Sequence, residues 1–269
     1  MKEQILANIK TNLKFYSRNA LLLLILIVVL ISASITVFFS ISYATAKVKF
    51  EVIQSIANTL STYSSLIIAL LGILAVSSHI KNRCLKMVFT KPCSPDIWLL
   101  SLYYSIILVA VVLSFIIFLV TWALFLIWKI PFQWGLICVL LYNLFNALIF
   151  SFLLLFLGII VHPILAIFCV LTFQESSFYW ITTTIRAAAK GALPGIKVFY
   201  LTLADKLAYF IYLVLPLSPY QKEMERVTRS WIAQGKDWFH LGIAALYTLT
   251  ISALLYFFSC YLLKRKRLI

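Results

Sequence analysis

The apolar residues of this chain run in unbroken blocks separated by short charged stretches, and they follow neither the strand period of two nor a single helical stripe. Blocks of this kind match the ~20 residues that a helix needs to cross about 30 Å of hydrocarbon. The first three predict spans at about 20–43, 57–78 and 97–127. The third is longer than a crossing requires. Tilt, or an interfacial first turn around Trp98, absorbs the excess, and Trp128-Lys129-Ile130-Pro131 ends it. No charged residue occurs between Lys129 and Glu175. As one helix that stretch would be roughly 65–70 Å long, about twice the hydrocarbon thickness, so it must cross twice. His162-Pro163 supplies the turn, because proline breaks a helix, and the spans fall at 132–160 and 163–180. A last span covers 239–263. The pattern therefore predicts an all-α polytopic membrane protein of six transmembrane helices, with residues 1–269 forming a single transmembrane domain.

Three segments outside these spans carry pattern of their own. In 3–19, Ile5, Ile9, Leu13 and Tyr16 recur at helical spacing while Lys10, Lys14 and Arg18 lie elsewhere on the wheel. This reads either as an amphipathic helix along the membrane surface or as a short basic tail. The 79–96 loop is basic, with a short apolar face at Leu85, Val88 and Phe89. Residues 181–238 mix Arg186, Lys190, Lys197, Asp205 and Lys206 with apolar stretches too short to cross. Ala208 to Leu217, closed by Pro216 and Pro219, has the length of a re-entrant or interfacial helix. Ala44-Thr45-Ala46 looks like a signal-peptidase site, but the preceding apolar run is longer than a signal core of about 7–15 residues, so a retained signal-anchor helix is the better reading.

Composition supports the membrane reading: of 269 residues, 64% are hydrophobic and 12% charged, against about a quarter charged in soluble domains. The net charge of +15 would point to nucleic acid in a soluble protein. Here the charge sits at span flanks: Lys2 to Arg18, Lys81 to Lys91, and Lys264 to Arg267. Basic residues in those places set topology and meet anionic lipid, so no nucleic-acid partner is expected. Six spans place both basic termini and the 79–96 loop on the cytoplasmic side and 181–238 on the other; five or seven would put one basic end outside. The five cysteines (Cys84, Cys93, Cys138, Cys169 and Cys260) show no metal-ligand or CxxC spacing and read as free thiols.

The chain carries no phosphate-binding GxxxxGK[ST] loop, no HExxH and no paired zinc-ligand pattern. His79, His162 and His240 are isolated near span boundaries. No catalytic residue, cofactor or metal is assigned, and the chain is not expected to be an enzyme. None of the predicted spans holds Asp, Glu, Lys or Arg in its middle, which disfavours an ion-coupled carrier, although sodium sites built of carbonyls and hydroxyls are compatible with it. Energy for uphill transport would have to enter from another subunit.

Read by itself, the 79–96 loop is either an ordinary basic connection or a short amphipathic helix clamped between two spans, suited to transmit a push from a soluble partner. Its core, Leu85-Lys86-Met87-Val88-Phe89-Thr90-Lys91-Pro92-Cys93-Ser94, resembles the L-x-x-L-L-x-K-P-V-S-R segment of ABC-2-type transporter permeases, the membrane subunits of type V ABC exporters. The layout is similar throughout: an interfacial helix before the first span, six spans, a tight turn between the fourth and fifth, re-entrant helices before the sixth and a basic tail. The sequence departs from the family at His79, Lys81, Arg83 and Cys84, where acidic residues and Gly-Thr are common, at Pro95 in place of the usual arginine, and at Ser101-Leu102 in place of Gly-Lys.

The resemblance implies that 79–96 holds a cytoplasmic coupling helix, with Lys81, Arg83, Leu85, Lys86, Val88, Phe89, Lys91 and Pro92 contacting an ABC ATPase subunit. ATP and magnesium would bind that partner and not this chain. It also implies a homodimer or a pairing with a paralogue, and residence in the plasma (inner) membrane of a prokaryote. A non-transporting membrane scaffold or assembly factor is the alternative, and an ion-coupled carrier is a third. The substrate is not legible: 16% aromatic residues suit a lipid or hydrophobic drug, but also ordinary membrane interfaces.

Overall fold

A computed structural model describes residues 2–18, 46–81, 95–162, 164–167, 184–185, 202–207, 226–228 and 230–266. Among them there are five long helices and no strand: α1 (Lys2–Ser17), α2 (Ala46–Lys81), α3 (Pro95–Trp128), α4 (Gly135–Ile160) and α5 (Gly235–Lys266). Four of these are long and apolar enough to cross a membrane, over Lys49–Leu74, Asp96–Trp128, Gly135–Ile160 and Gly235–Arg265. The expected spans 20–43 and 163–180 lie outside the described residues apart from a turn at 164–167, as does the 208–217 segment expected to be re-entrant.

α2 begins about ten residues before the span expected at 57–78. Lys47, Lys49, Glu51 and Gln54 dilute the hydropathy of that stretch, yet nothing in it breaks a helix. α5 likewise starts at Gly235, ahead of the expected 239.

α4 is the central helix, packed against α2, α5 and α3. Two contacts fix the direction of α2 beside it. The Asn143 amide donates to Ser61 Oγ at 2.7 Å, and Gly72 lies directly against the backbone of Ser151. The two helices are therefore parallel. α5 is parallel to α4 as well, since Leu241 and Ala244 pack with Leu136 to Leu140 while Cys260 and Leu263 pack with Leu155 and Ile159. α3 runs the other way, with Tyr103 stacked on Phe152 at 4.3 Å and Phe125 in the opposite cluster.

α1 packs on the first half of α3. Its inward side carries Ile5, Ile9, Leu13 and Tyr16, with Lys10, Lys14 and Arg18 exposed. Tyr16 is buried among Trp98, Leu99 and Leu102, and Asn12 donates to Ser105 Oγ at 3.3 Å. At this end the Lys264 ammonium meets Asp96 Oδ2 at 2.8 Å, tying the last turn of α5 to the first turn of α3.

The opposite end is closed by the residues before α5. Trp231, fully buried, takes a left-handed backbone (φ 53°) and its ring meets Phe50 and Phe125. Gly135 N–H donates to the Trp231 carbonyl at 3.0 Å. A Cβ on Gly135 would sit 2.1 Å from that oxygen, so only glycine can open α4 here. The Arg226 guanidinium reaches both carboxylate oxygens of Asp237 at 2.6 Å, and Gln234 N–H donates to the same carboxylate at 2.7 Å. α3 stops beside this closure. Lys129 N–H bonds to Leu126 O and Ile130 N–H to Phe125 O, the pairing of a Schellman cap with Lys129 at its left-handed position (φ 55°).

Candidate functional site

Eight residues are expected to meet an ATPase. Lys81 is the last residue of α2; Arg83, Leu85, Lys86, Val88, Phe89, Lys91 and Pro92 lie outside the described residues. Lys81 and Pro95, which bracket them, stand at the same end of the bundle as α1 and the Asp96–Lys264 pair, because α2 and α3 are antiparallel there.

A second candidate arises from α2 itself. Along the helix, Glu51, Ser55, Thr59, Thr62 and Leu66 are exposed, at spacings of four, four, three and four. That places them on one face. The buried side of the same helix, Ile53, Ile56, Ala57, Ile67, Ile68 and Leu71, packs inward. The outward faces of α3 and α5 are built differently. α3 exposes Leu108, Val111, Val112, Phe115, Ile116 and Leu119, and α5 exposes Leu246, Leu249, Leu254, Phe257 and Phe258, as helices bathed in hydrocarbon should. A polar outward face in a span is costly against lipid and belongs beside water, a ligand or another polar helix.

The face has two parts. Toward the Trp231 end, Glu51, Gln54, Ser55, Asn58, Thr59 and Thr228 line an open polar groove; the Gln54 amide donates to the Thr228 carbonyl at its edge. One turn further, Thr62, Ser65, Leu66, Ala69, Asn146 and Phe150 are among the residues lining a cavity of about 380 Å³ between α2 and α4. Leu154 and Ile167 complete its apolar floor.

Hydrogen bonding gives this face a chemical sense. Thr59 donates its hydroxyl proton to Ser55 O at 2.8 Å, Thr62 to Asn58 O at 2.9 Å and Ser65 to Ser61 O at 2.9 Å. Such back-bonding uses the proton and leaves the oxygen as an acceptor. Asn146 Oδ1 is buried without a hydrogen-bond partner among the described residues. Glu51 adds the one formal charge among the described residues lining groove and cavity.

Sequence reading passed over this face because hydropathy averages the polar and apolar sides of α2 together. The four-four-three spacing of Glu51, Ser55, Thr59 and Thr62 was available in the sequence as the signal. The cavity was not, since half of its wall comes from α4. Among the described residues no group of His, Cys, Asp or Glu gathers as a metal site requires. Compared with protein-family models and with curated proteins, the chain matches none of either.

Proposed function

We propose that the chain is the membrane permease subunit of an ATP-driven ABC exporter, working as a pair of such subunits with a separate ATPase that binds the 79–96 loops. The observation that carries this reading is the exposed polar face of α2, which has the character of a transport pathway and not of a lipid-facing wall. Two further features support it. α2, α4 and α5 run in one direction and α3 in the other, as the second, fourth, sixth and third of six crossings must. The α1 end, with exposed Lys10, Lys14 and Arg18, would then be cytoplasmic and would present the coupling segment between Lys81 and Pro95 to the ATPase. ATP binding would draw the two loops together and switch the pathway from inward- to outward-facing.

The deciding experiment is purification of the tagged full-length chain from its native host in mild detergent, with mass spectrometry of what accompanies it. A near-stoichiometric phosphate-loop ATPase is the expected result. Lys86→Ala with Phe89→Ala should then weaken its association by about tenfold, the size of one lost interface anchor. Recovery of the chain alone, or only with partners that are not ATPases, would replace the exporter by a membrane scaffold.

A further inference from the structure

The groove and the cavity follow one another along one face of α2, and together they describe the molecule that would occupy them. The polar part spans Glu51 to Thr59 and the apolar part begins at Thr62, a single turn away. A ligand lying along this face therefore has a polar head and a hydrocarbon tail. The tail site, about 380 Å³, lies near the small end of the ~300–1,000 Å³ seen for ligand pockets. It has room for roughly a dozen water-sized groups at about 30 Å³ each, the bulk of one hydrocarbon chain and not two.

The head must be a donor. In the groove Thr59 has given its proton to the Ser55 carbonyl, so what it turns to a ligand is an oxygen lone pair, and the Asn58 amide can offer its oxygen beside it. Glu51 brings a carboxylate, and among the described lining residues no Lys or Arg balances it. A phosphate or carboxylate head would meet the Glu51 carboxylate, like charge against like. An ammonium head, all donors and no acceptor, meets both that carboxylate and the Thr59 lone pair.

We infer that the α2 face binds a single-chain amphiphile with a cationic, N–H-bearing head, its head in the Glu51–Thr59 groove and its chain in the cavity beside Asn146. The inference rests on the permease reading in taking this face as the pathway, and it names the class of substrate the pathway would carry. The head enters at the Trp231 half of α2, where Glu51 supplies the charge. The chain follows between Leu66 and Phe150.

The test uses the full-length chain in phosphatidylcholine nanodiscs, without ATPase or nucleotide. The probes are a dodecylamine carrying a diazirine in its chain and the matched dodecanoic acid. Labelling should fall on peptides containing 62–70 and 146–154, with the amine favoured by about tenfold over the acid. Glu51→Gln should cut that preference by about fivefold, the scale of one exposed charge. Ala69→Phe, which fills the cavity, should remove labelling by both probes while Glu51→Gln keeps the cavity labelled. Equal labelling by amine and acid overturns the inference, as does labelling unaffected by Ala69→Phe or spread along the outward faces of α3 and α5 in the manner of bulk lipid. Because nothing here depends on a partner, recovery of an ATPase with equal labelling defeats only the substrate class. Selective labelling without any ATPase defeats only the exporter.

Discussion

Replacing Gly72 by alanine sets two well-known effects against each other. In an isolated helix the change is favourable by about 1 kcal/mol, because glycine loses more backbone freedom on folding. In this bundle the added Cβ would stand 2.1 Å from the carbonyl oxygen of Ser151 and 2.9 Å from its carbon. The closest ordinary contact is 3.4 Å, so α2 and α4 must separate locally by about 1.3 Å, more than the ~1 Å gap that already forfeits about half of the dispersion well at a contact. The opposing atom belongs to helix backbone and cannot swing aside. Ile68, Leu71, Leu148, Phe152 and Leu155 share the packed region around it. Overpacking of ordinary cores costs about 1–3 kcal/mol; here it should reach the upper end or beyond, leaving Gly72→Ala destabilised by a net ~1–3 kcal/mol. Thermal unfolding in detergent, followed by helix signal, would show a midpoint several degrees lower. Ser151→Ala removes the hydroxyl, which the new Cβ would also meet at 2.9 Å, but leaves the carbonyl, so the double variant should recover little. A raised midpoint for Gly72→Ala would refute the reasoning, because propensity would then have outweighed the helix contact.

Two other changes test the ends of the bundle. Arg226→Ala strands the Asp237 carboxylate, whose side chain is 2% exposed, with the Gln234 N–H; it should cost about 1–3 kcal/mol, and adding Asp237→Asn should restore part of that loss in the same melting assay. Tyr16→Phe should be neutral or stabilising by up to about 1 kcal/mol, because the buried Tyr16 hydroxyl has no hydrogen-bond partner among the described residues. Burial also pushes that hydroxyl well above its ordinary range. The unfolded chain therefore releases the proton from about pH 10 upward while the folded one holds it, so this contribution to stability is present below pH 10 and fades above it. A melting-versus-pH series should lose that alkaline slope in Tyr16→Phe, and an unchanged slope would assign it elsewhere.

What could be read from the sequence follows from which physical signals are local. The third and fourth predicted spans and the last one are continuous apolar runs, and helices stand at all three: α3, α4 and α5. The end of α3 was equally plain in Trp128-Lys129-Ile130-Pro131, since proline after a helix closes it, although the left-handed Lys129 was not foreseeable from a non-glycine residue. The inward face of α1 was written in Ile5, Ile9, Leu13 and Tyr16, while its contact through Asn12 and Ser105 is a long-range pairing no periodicity announces. The start of α2 was hidden because hydropathy registers charge and not helix continuity. Gly72 was missed for a related reason. Without a GxxxG pattern the sequence offered no helix contact, yet one glycine opposite one serine is enough for the backbones to touch.

Gly72 also has a bearing on how the polar face would be moved. α2 is a single helix over its 36 residues, so a displacement at Lys81 is carried along it. It lies against the α4 backbone at Gly72, nine residues from Lys81 and twenty-one from Glu51. At 1.5 Å per residue the two arms are roughly 14 and 32 Å. Under the permease reading, an ATPase pushing on the segment after Lys81 would work the short arm, and the Glu51–Thr59 groove would ride the long one, moving about twice as far in the opposite sense. The Ser151 backbone is a suitable fulcrum because it belongs to the central helix, which α5 and α3 hold from other sides. The same contact that makes Gly72→Ala destabilising would then make it an uncoupling change: ATPase binding would persist at the Lys81 end while access to the groove no longer followed it.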